Sequence, residues 1–321
     1  MENFISNQIT RQLNSFYNLK TTSRTLPQIS TRIFKLISLN PLTPLTRGQK
    51  NLEKVIQLGY PTSFTKTTGK RLFLYDINSL YPFCFINKYP SKIDTPDSSK
   101  HLMIIKATIS PPNFSRAYYS LPSNDNTDTF YSSQEITYLS KLGYTFKTAD
   151  QLKLPYRTDI FLDFVIHLFS RKTDHPKLVK HLLNSFYGKL ISSESSTITP
   201  LMLQHMISYS RIYTHKIKLN QTNLSIYTDT DSFTVQHPFR LTTSQKLGSY
   251  KNLISRPGLN IADDIKITSP RNYIYSMRNR KETKSIGAEN NISHIDRSFY
   301  REITINNKKV NSISTIEFIY N

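Results

Sequence analysis

The chain has 321 residues, of which 37% are hydrophobic and 12% aromatic, so it can fold around a substantial apolar core. Its 42 lysines and arginines exceed its 22 acidic residues, and the resulting formal charge of +20 favours a polyanionic partner such as nucleic acid. The single cysteine, Cys84, excludes an internal disulfide and a Cys-based zinc site, and no apolar run is long enough to span a bilayer.

Residues 1–70 are basic and only weakly patterned, and four prolines interrupt any long helix there. Lysines and arginines recur in this stretch, whereas Glu2 is the only acid before Glu53. Two interpretations stay open, a mitochondrial transit peptide and a basic mature segment that contacts nucleic acid. We favour the second.

Further along the chain the pattern alternates between short apolar runs and helical periodicity. Strands are predicted over Arg71–Tyr75, Met103–Ile109, Leu224–Thr228 and Ser232–Gln236, with a Ser/Asn/Asp-rich loop through Asp128. Helices are predicted over Ser133–Leu142, Asp159–Phe169 and Leu201–Leu219. Another predicted helix starts after Asp174, has Pro176 in its first turn and ends near Lys189. The last fifty residues mix short strands with basic loops. Helices interleaved with hairpin-like strands predict an α+β fold.

Three aspartates stand out by their placement. Asp76 ends an apolar strand, and Asp229 and Asp231 lie in the turn Tyr227–Ser232, where residues two apart share a face. If the Asp76 strand lies beside that hairpin, the carboxylates converge, and a pair of Mg²⁺ ions would offset their repulsion. Two metals about 3.5–4 Å apart commonly serve in-line phosphoryl transfer. An isolated Asp-Thr-Asp is more often a solvated turn, so this signal depends on its neighbours.

The predicted helix after Asp174 has one polar and one apolar face. The polar face carries Lys177, Lys180, Asn184 and Tyr187, and the apolar face carries Val179, Leu182, Leu183, Phe186 and Leu190. A triphosphate needs a cation, and a base or sugar can rest on an aromatic ring. Arg171 and Lys172, just before the helix, add phosphate-binding capacity. An ordinary amphipathic surface helix is the plainer alternative.

The segment Asp76–Pro82 reads Asp-Ile-Asn-Ser-Leu-Tyr-Pro. A strand that turns abruptly after an aspartate exposes successive backbone N–H groups, which can hold phosphate oxygens. Tyr81 is placed to lie under a bound sugar. The alternative is a strand-to-turn junction with a core tyrosine.

Together these segments resemble the family B DNA polymerases. Asp76–Pro82 is similar to motif A of that family, Lys180–Gly188 to motif B and Tyr227–Ser232 to motif C, in the family's order. Arg271–Tyr273 lies where the family carries Lys-x-Tyr, which grips the primer end, and Leu247–Gly248 precedes it. The resemblance covers roughly residues 50–290 and points to the protein-primed branch of linear plasmids, phages and organelles.

The resemblance implies a role for each matching residue. The catalytic residues would be Asp76, Asp229 and Asp231, and the metal ligands would be Asp76, Asp231 and the backbone carbonyl of Ile77. The nucleotide-binding residues would be Ser79, Leu80, Tyr81, Arg171, Lys172, Lys180, Asn184 and Tyr187. The DNA-binding residues would be Gly188, Tyr227, Arg271 and Tyr273. The implied reaction is metal-assisted attack of a primer 3′-OH on the α-phosphate, with release of pyrophosphate.

The fold implied by the resemblance is a right-hand polymerase core, with an antiparallel palm sheet, helical fingers and a small thumb. The expected boundaries are a basic segment at 1–70, palm with an insertion at 71–150, fingers at 151–190, palm again at 191–270 and thumb at 271–321. Two Mg²⁺ ions are implied, for which Mn²⁺ can substitute. The implied partners are primer–template DNA, deoxynucleoside triphosphates and a terminal priming protein. We expect a mitochondrial location.

Several features depart from the family pattern. Only about 70 residues precede the Asp76 strand, without the paired acids of a 3′–5′ exonuclease, so proofreading is expected to be absent. Tyr60–Ser63 replaces the usual Tyr-x-Gly-Gly element, and Ser192–Pro200 leaves little room for the insertion that supports strand displacement. Arginine replaces lysine at position 271, which keeps the charge but not the shape.

These departures leave rival hypotheses open. One is a degenerate relative that binds DNA without catalysis, and another is a basic RNA-binding protein of an organelle. The presence of all three aspartates together with Lys180 and Tyr187 favours an active, template-directed DNA polymerase.

Overall fold

A computed structural model of the chain describes part of its residues, and the statements that follow concern those residues. They are residues 26–37, 62–64, 67–90, 101–112, 129–157, 160–192, 199–220, 225–229, 231–235, 238, 244, 246–252, 262–269, 272–277, 280–286 and 295–296. The chain divides into two compact units. Unit 1 takes its described residues from segments 1–59, 79–113 and 122–212, and unit 2 from segments 60–78 and 213–321.

The described helices belong mainly to unit 1. They are α1 (Leu26–Ile37), α2 (Leu80–Cys84), α3 (Ser133–Ser140), α4 (Leu162–Ser170), α5 (Pro176–Ser192) and α6 (Thr199–Asn220). Proline is tolerated in a first helical turn, where its missing N–H has no partner to lose, and α1 and α5 both use it there. At the start of α3 the Ser132 hydroxyl accepts a hydrogen bond from the Glu135 N–H at 3.2 Å.

The strands form two antiparallel sheets. They are β1 (Thr62–Phe64), β2 (Thr67–Ile77), β3 (Tyr89–Pro90), β4 (His101–Ser110), β5 (Thr129–Ser132), β6 (Thr145–Arg157), β7 (Ser225–Asp229), β8 (Ser232–Val235), β9 (Tyr250–Asn252), β10 (Ala262–Ser269), β11 (Asn272–Met277), β12 (Arg280–Ile286) and β13 (Ile295–Asp296). Unit 1 holds the sheet of order β3-β6-β4-β5, and unit 2 holds the larger sheet.

Aromatic side chains form the core of unit 1. Phe34 of α1 lies 5.5 Å from Phe161, 5.6 Å from Phe164 and 4.9 Å from Phe186 of α5, measured between ring centroids. All four side chains are at most 1% exposed. Burial of large aromatic surface is a major source of stability, so this cluster fixes α5 against α1 and α4.

The sheet of unit 2 is built around β2. Its order among the described strands is β1-β7-β8-β2-β10-β11-β12-β13, and β9 also pairs with β2. The first half of β2 pairs with β10, whereas its last residues lie between β8 and β9. The end of β2 is therefore held from both sides.

The predicted α+β class is confirmed, and the predicted strands and helices are found with shifted ends. Two features go beyond the prediction: the 12-residue helix α1 forms in a segment for which no helix was predicted, and β2 ends at Ile77, one residue after the predicted end at Asp76. The predicted loop through Asp128 and much of Ser192–Pro200 lie outside the described residues. None of the described helices is both long and apolar enough to cross a membrane.

Candidate functional site

The backbones of the three predicted catalytic aspartates meet at one end of unit 2's sheet. Asp76 on β2 and Asp229 on β7 are both in register with Ser232 on β8. The N–H of Ile77 donates a 2.7 Å hydrogen bond to the carbonyl oxygen of Asp231. Asp76 and Asp231 are half-buried, and the side chain of Asp229 lies outside the described residues. The proximity predicted from the sequence is present in the backbone.

A lysine that the sequence did not single out contacts Asp76. Lys251 on β9 is in register with Asp76, on the opposite side of β2 from Ser232. Its Nζ lies 2.6 Å from Asp76 Oδ2, and the two side chains are 40% and 15% exposed. Charge-assisted contacts of this length are among the stronger polar interactions. The Asp76 carboxylate therefore faces a cation.

The residues at this end of the sheet fit a divalent cation. Mg²⁺ and Mn²⁺ prefer oxygen ligands, and Asp76 and Asp231 supply carboxylates on adjacent backbones. The Lys251 ammonium shows that Asp76 can hold a positive charge in this position. No group of three His, Cys, Asp or Glu side chains suited to a metal occurs among the side chains that the structure describes, which do not include that of Asp229.

In unit 1 the two faces of α5 differ as the sequence predicts. The exposed face carries Lys180 and Asn184. The buried face carries the five apolar residues Val179, Leu182, Leu183, Phe186 and Leu190. Gly188 is also exposed, and a Cβ placed there would meet nothing within 4 Å. The half-buried ring of Tyr187 stacks on Tyr81, with centroids 4.4 Å apart and planes 19° apart. The helix thus presents a cation and an amide beside a pair of stacked rings.

Lys172 connects the start of α5 with the turn before α2. Its Nζ donates to Ser79 Oγ at 3.4 Å and lies 4.7 Å from the centroid of the Phe169 ring. Ser79 has φ 59° and ψ 57°, the left-handed conformation that non-glycine residues seldom adopt. Of the predicted nucleotide-binding residues, Lys172 and Ser79 therefore form one pair, and Tyr81 and Tyr187 form another.

Arg171 is held by a histidine one turn earlier. Its Nη1 lies 2.9 Å from His167 Nδ1 and donates to the His167 carbonyl oxygen at 3.0 Å. Burial and the neighbouring Arg171 charge both lower the pKa of His167, because each disfavours the imidazolium form. A neutral His167 can accept a hydrogen bond from the guanidinium through Nδ1.

The remaining predicted residues are only partly described. Leu80 is buried, at 1% exposed. Tyr227 lies on β7 and Tyr273 on β11, and for both the structure describes the backbone alone. Arg271 lies outside the described residues.

The residues that sequence reasoning missed are Lys251 and His167. Lys251 reaches Asp76 through the pairing of a three-residue strand, which has too few residues to show a periodicity. His167 had a detectable signal, because it stands four residues before Arg171 on a predicted helix.

Comparison with known proteins agrees with this geometry. The family model for DNA polymerase type B, organellar and viral, matches residues 4–245. No curated protein matches the sequence.

Solved structures of Phi29 DNA polymerase are similar in fold. The complex with primer-template DNA is 17% identical and aligns over 91% of this chain and 60% of its own, with a TM-score of 0.64. The complex with primer-template DNA and incoming nucleotides is 19% identical over 83% and 58% of the two chains, with a TM-score of 0.60. This chain spans less than two thirds of the length of these polymerases. Because the family match covers well over half of the residues, the chain belongs to the type B DNA polymerases of organelles and viruses.

Proposed function

We propose that this protein is a template-directed DNA polymerase that adds deoxynucleotides to a primer 3′-OH by two-metal phosphoryl transfer. Family membership supports the reaction class. The observation that carries the proposal is the Ile77 N–H bond to the Asp231 carbonyl, which places the backbones of Asp76 and Asp231 side by side. Adjacent aspartates at a strand end can supply the carboxylate ligands of a divalent ion in metal-assisted transfer.

In unit 2, Asp76, Asp231 and the Ile77 carbonyl would hold the divalent ions, and Asp229 would support them. When bound, the metals lower the pKa of the attacking hydroxyl and neutralise charge that develops on the phosphate. The chain's own contribution is positioning, because the register of β2, β7 and β8 fixes the backbone positions of Asp76 and Asp229.

In unit 1, Lys172, Lys180 and Arg171 would bind the triphosphate, helped by backbone N–H groups near Ser79 and Leu80. Asn184 and Tyr187 would line the pocket for the nascent base pair. Tyr81 would exclude a ribose 2′-OH, since its ring is fixed in place by stacking on Tyr187.

The finer part of the proposal concerns DNA and its source. The primer–template would be contacted by Gly188, Tyr227, Arg271 and Tyr273. The formal charge of +20 supports a polyanionic partner. The Phi29 polymerase structures contain primer-template DNA and incoming nucleotides, which supports the same substrates for this chain. We further propose a terminal priming protein, a linear plasmid or organellar template, a mitochondrial location and synthesis without proofreading.

A primer-extension assay tests the proposal, with Mg²⁺ or Mn²⁺ and the four deoxynucleotides. We expect the wild type to extend the primer and Asp231→Ala and Asp231→Asn to lose activity by at least about a thousandfold, because a metal ligand is removed. Asp163→Asn is the matched control, since Asp163 is exposed on α4 and is not among the predicted site residues, and it should leave extension unchanged.

DNA binding measured in parallel distinguishes the main alternative. A wild-type protein that binds primer–template but incorporates no nucleotide with either metal would support the degenerate, DNA-binding relative and refute the polymerase. Trimming of a 3′-mismatched primer would contradict the proposed lack of proofreading.

A further inference from the structure

Asn78 follows Asp76 and Ile77 at the end of β2 and makes three hydrogen bonds to one short segment. Its N–H donates to the Ser249 carbonyl at 2.7 Å, and its own carbonyl accepts from the Gly248 N–H at 2.9 Å. Its side-chain Nδ2 donates to the Lys246 carbonyl at 3.0 Å. Asn78 is only 4% exposed, so these bonds are largely shielded from water.

The segment to which Asn78 is hydrogen-bonded, Lys246–Ser249, is itself held in a defined conformation. Gly248 has φ +77°, which a side chain would strain. The Ser249 hydroxyl lies 2.6 Å from the Lys246 carbonyl and 2.7 Å from the Ser244 carbonyl. The Tyr213 hydroxyl donates to the Gly248 carbonyl at 2.6 Å. Asn78 therefore binds to a pre-formed set of backbone groups.

These contacts fix the backbone around the catalytic aspartate from two directions. On one side the Ile77 N–H binds Asp231, and on the other Asn78 binds Lys246–Ser249. The next residue, Ser79, is the one non-glycine residue with positive φ among those that the structure describes. A strained backbone conformation is kept only where the surrounding contacts hold it in place.

We propose that Asn78 is a positioning residue for the metal-binding end of β2. Its side-chain amide holds the backbone that carries the Asp76 carboxylate and the Ile77 carbonyl, so that both keep the geometry needed for a divalent cation. An amide suits this position because Nδ2 donates to a carbonyl without introducing charge. The inference rests on the proposed function, since it concerns the same metal site.

The test measures Mn²⁺ binding by electron paramagnetic resonance, without DNA or nucleotide, and polymerisation separately. Asn78→Ala removes the side-chain donor but keeps both backbone bonds. We expect Mn²⁺ half-saturation about tenfold higher and kcat lowered by about 10- to 100-fold, as expected for a small misplacement of catalytic groups. The dissociation constant for primer–template should stay within about twofold.

Asn87→Ala is the matched control, because it removes the same kind of hydrogen bond, from a side-chain Nδ2 to the Cys84 carbonyl at 2.9 Å, in unit 1 and not at the metal-binding end of β2. It should bind Mn²⁺ like the wild type. Asn78→Leu, which keeps a side chain of similar size but cannot donate, provides a second variant and should behave like Asn78→Ala. Wild-type Mn²⁺ binding in both Asn78 variants, or equal weakening in Asn87→Ala, would overturn the inference. Weakened Mn²⁺ binding in a protein whose wild type extends no primer would retain the positioning role and reject the polymerase.

Discussion

At the scale of single residues, the buried polar groups of α6 set how stability depends on pH. His205 is fully buried, and neither ring nitrogen has a hydrogen-bond partner among the described residues. Burial lowers its pKa to about 3. An unfolded histidine titrates near pH 6.5, so between about 6.5 and 3 the unfolded chain binds more protons than the folded one. Folding stability is therefore lost as the pH falls through this range.

We expect His205→Leu to lose this dependence. From pH 7 to pH 5 the wild type should lose about 2 kcal/mol more of its free energy of unfolding than the variant does, at about 1.4 kcal/mol per pH unit below 6.5. Urea unfolding at the two pH values measures the difference. Equal losses in both proteins would contradict the assignment of a neutral, buried His205.

Glu135 and Arg211 form a fully buried ion pair in unit 1. Arg211 Nε lies 2.6 Å from Glu135 Oε1 and its Nη2 lies 2.8 Å from Oε2, which also accepts from the Ser208 hydroxyl at 2.7 Å. Removing one partner of such a pair leaves a buried charge uncompensated. The Ser132-x-x-Glu135 spacing is typical of a helix cap, but the carboxylate serves Arg211, a partner 76 residues away that no local pattern reveals.

Arg211→Met should therefore destabilise the fold by about 3–5 kcal/mol, measured by chemical denaturation. The double variant Arg211→Met with Glu135→Leu should recover much of that loss, because no isolated charge remains. A double variant as unstable as the sum of the two single variants would show that the pair is not coupled.

At the scale of elements, α1 is a structural support for α5, the helix that carries Lys180, Asn184 and Tyr187. Besides the aromatic contacts of Phe34, the Ser30 hydroxyl donates a buried 2.7 Å hydrogen bond to the Leu182 carbonyl, in the middle of α5. A helix of 12 residues is marginal by itself in water, so α1 depends on this packing as much as α5 does.

Phe34→Ala should lower the free energy of unfolding by about 3–5 kcal/mol, because it leaves a cavity among rings that cannot fully close. Leu36→Ala is the control on the same helix, since Leu36 is 64% exposed, and should cost no more than about 0.5 kcal/mol. Thermal and urea unfolding of both variants measure these changes. A similar cost for the two would show that α1 does not pack as described.

The elements that sequence could predict are those with a long or regular pattern. α5 and α6 follow from helical periodicity, and the hairpin of β7 and β8 follows from its acidic turn. α1 is not predicted because Pro27 is read as a helix breaker, although proline is also favoured in the first turn of a helix. β9 was missed because three residues carry no period, although it brings Lys251 to Asp76.

At the scale of the whole molecule, neither compact unit is formed by one continuous segment of the chain. The chain passes from unit 2 to unit 1 between Asn78 and Ser79, within the segment similar to motif A. The sequence could identify that segment and the residue types, because these are local. It could not predict that Asn78 binds Lys246, because the two are 168 residues apart and each is an unremarkable residue by itself. That contact depends on the pairing of β2 with β9, two strands that lie far apart in the sequence.

The ion pair between Lys251 and Asp76 also bears on how a divalent ion would bind. Because a lysine from the chain itself balances the aspartate, this end of the sheet carries its own counter-ion. Under the proposed function, a divalent ion that binds Asp76 would therefore replace one positive charge by another, and the Lys251 side chain would have to release the carboxylate first.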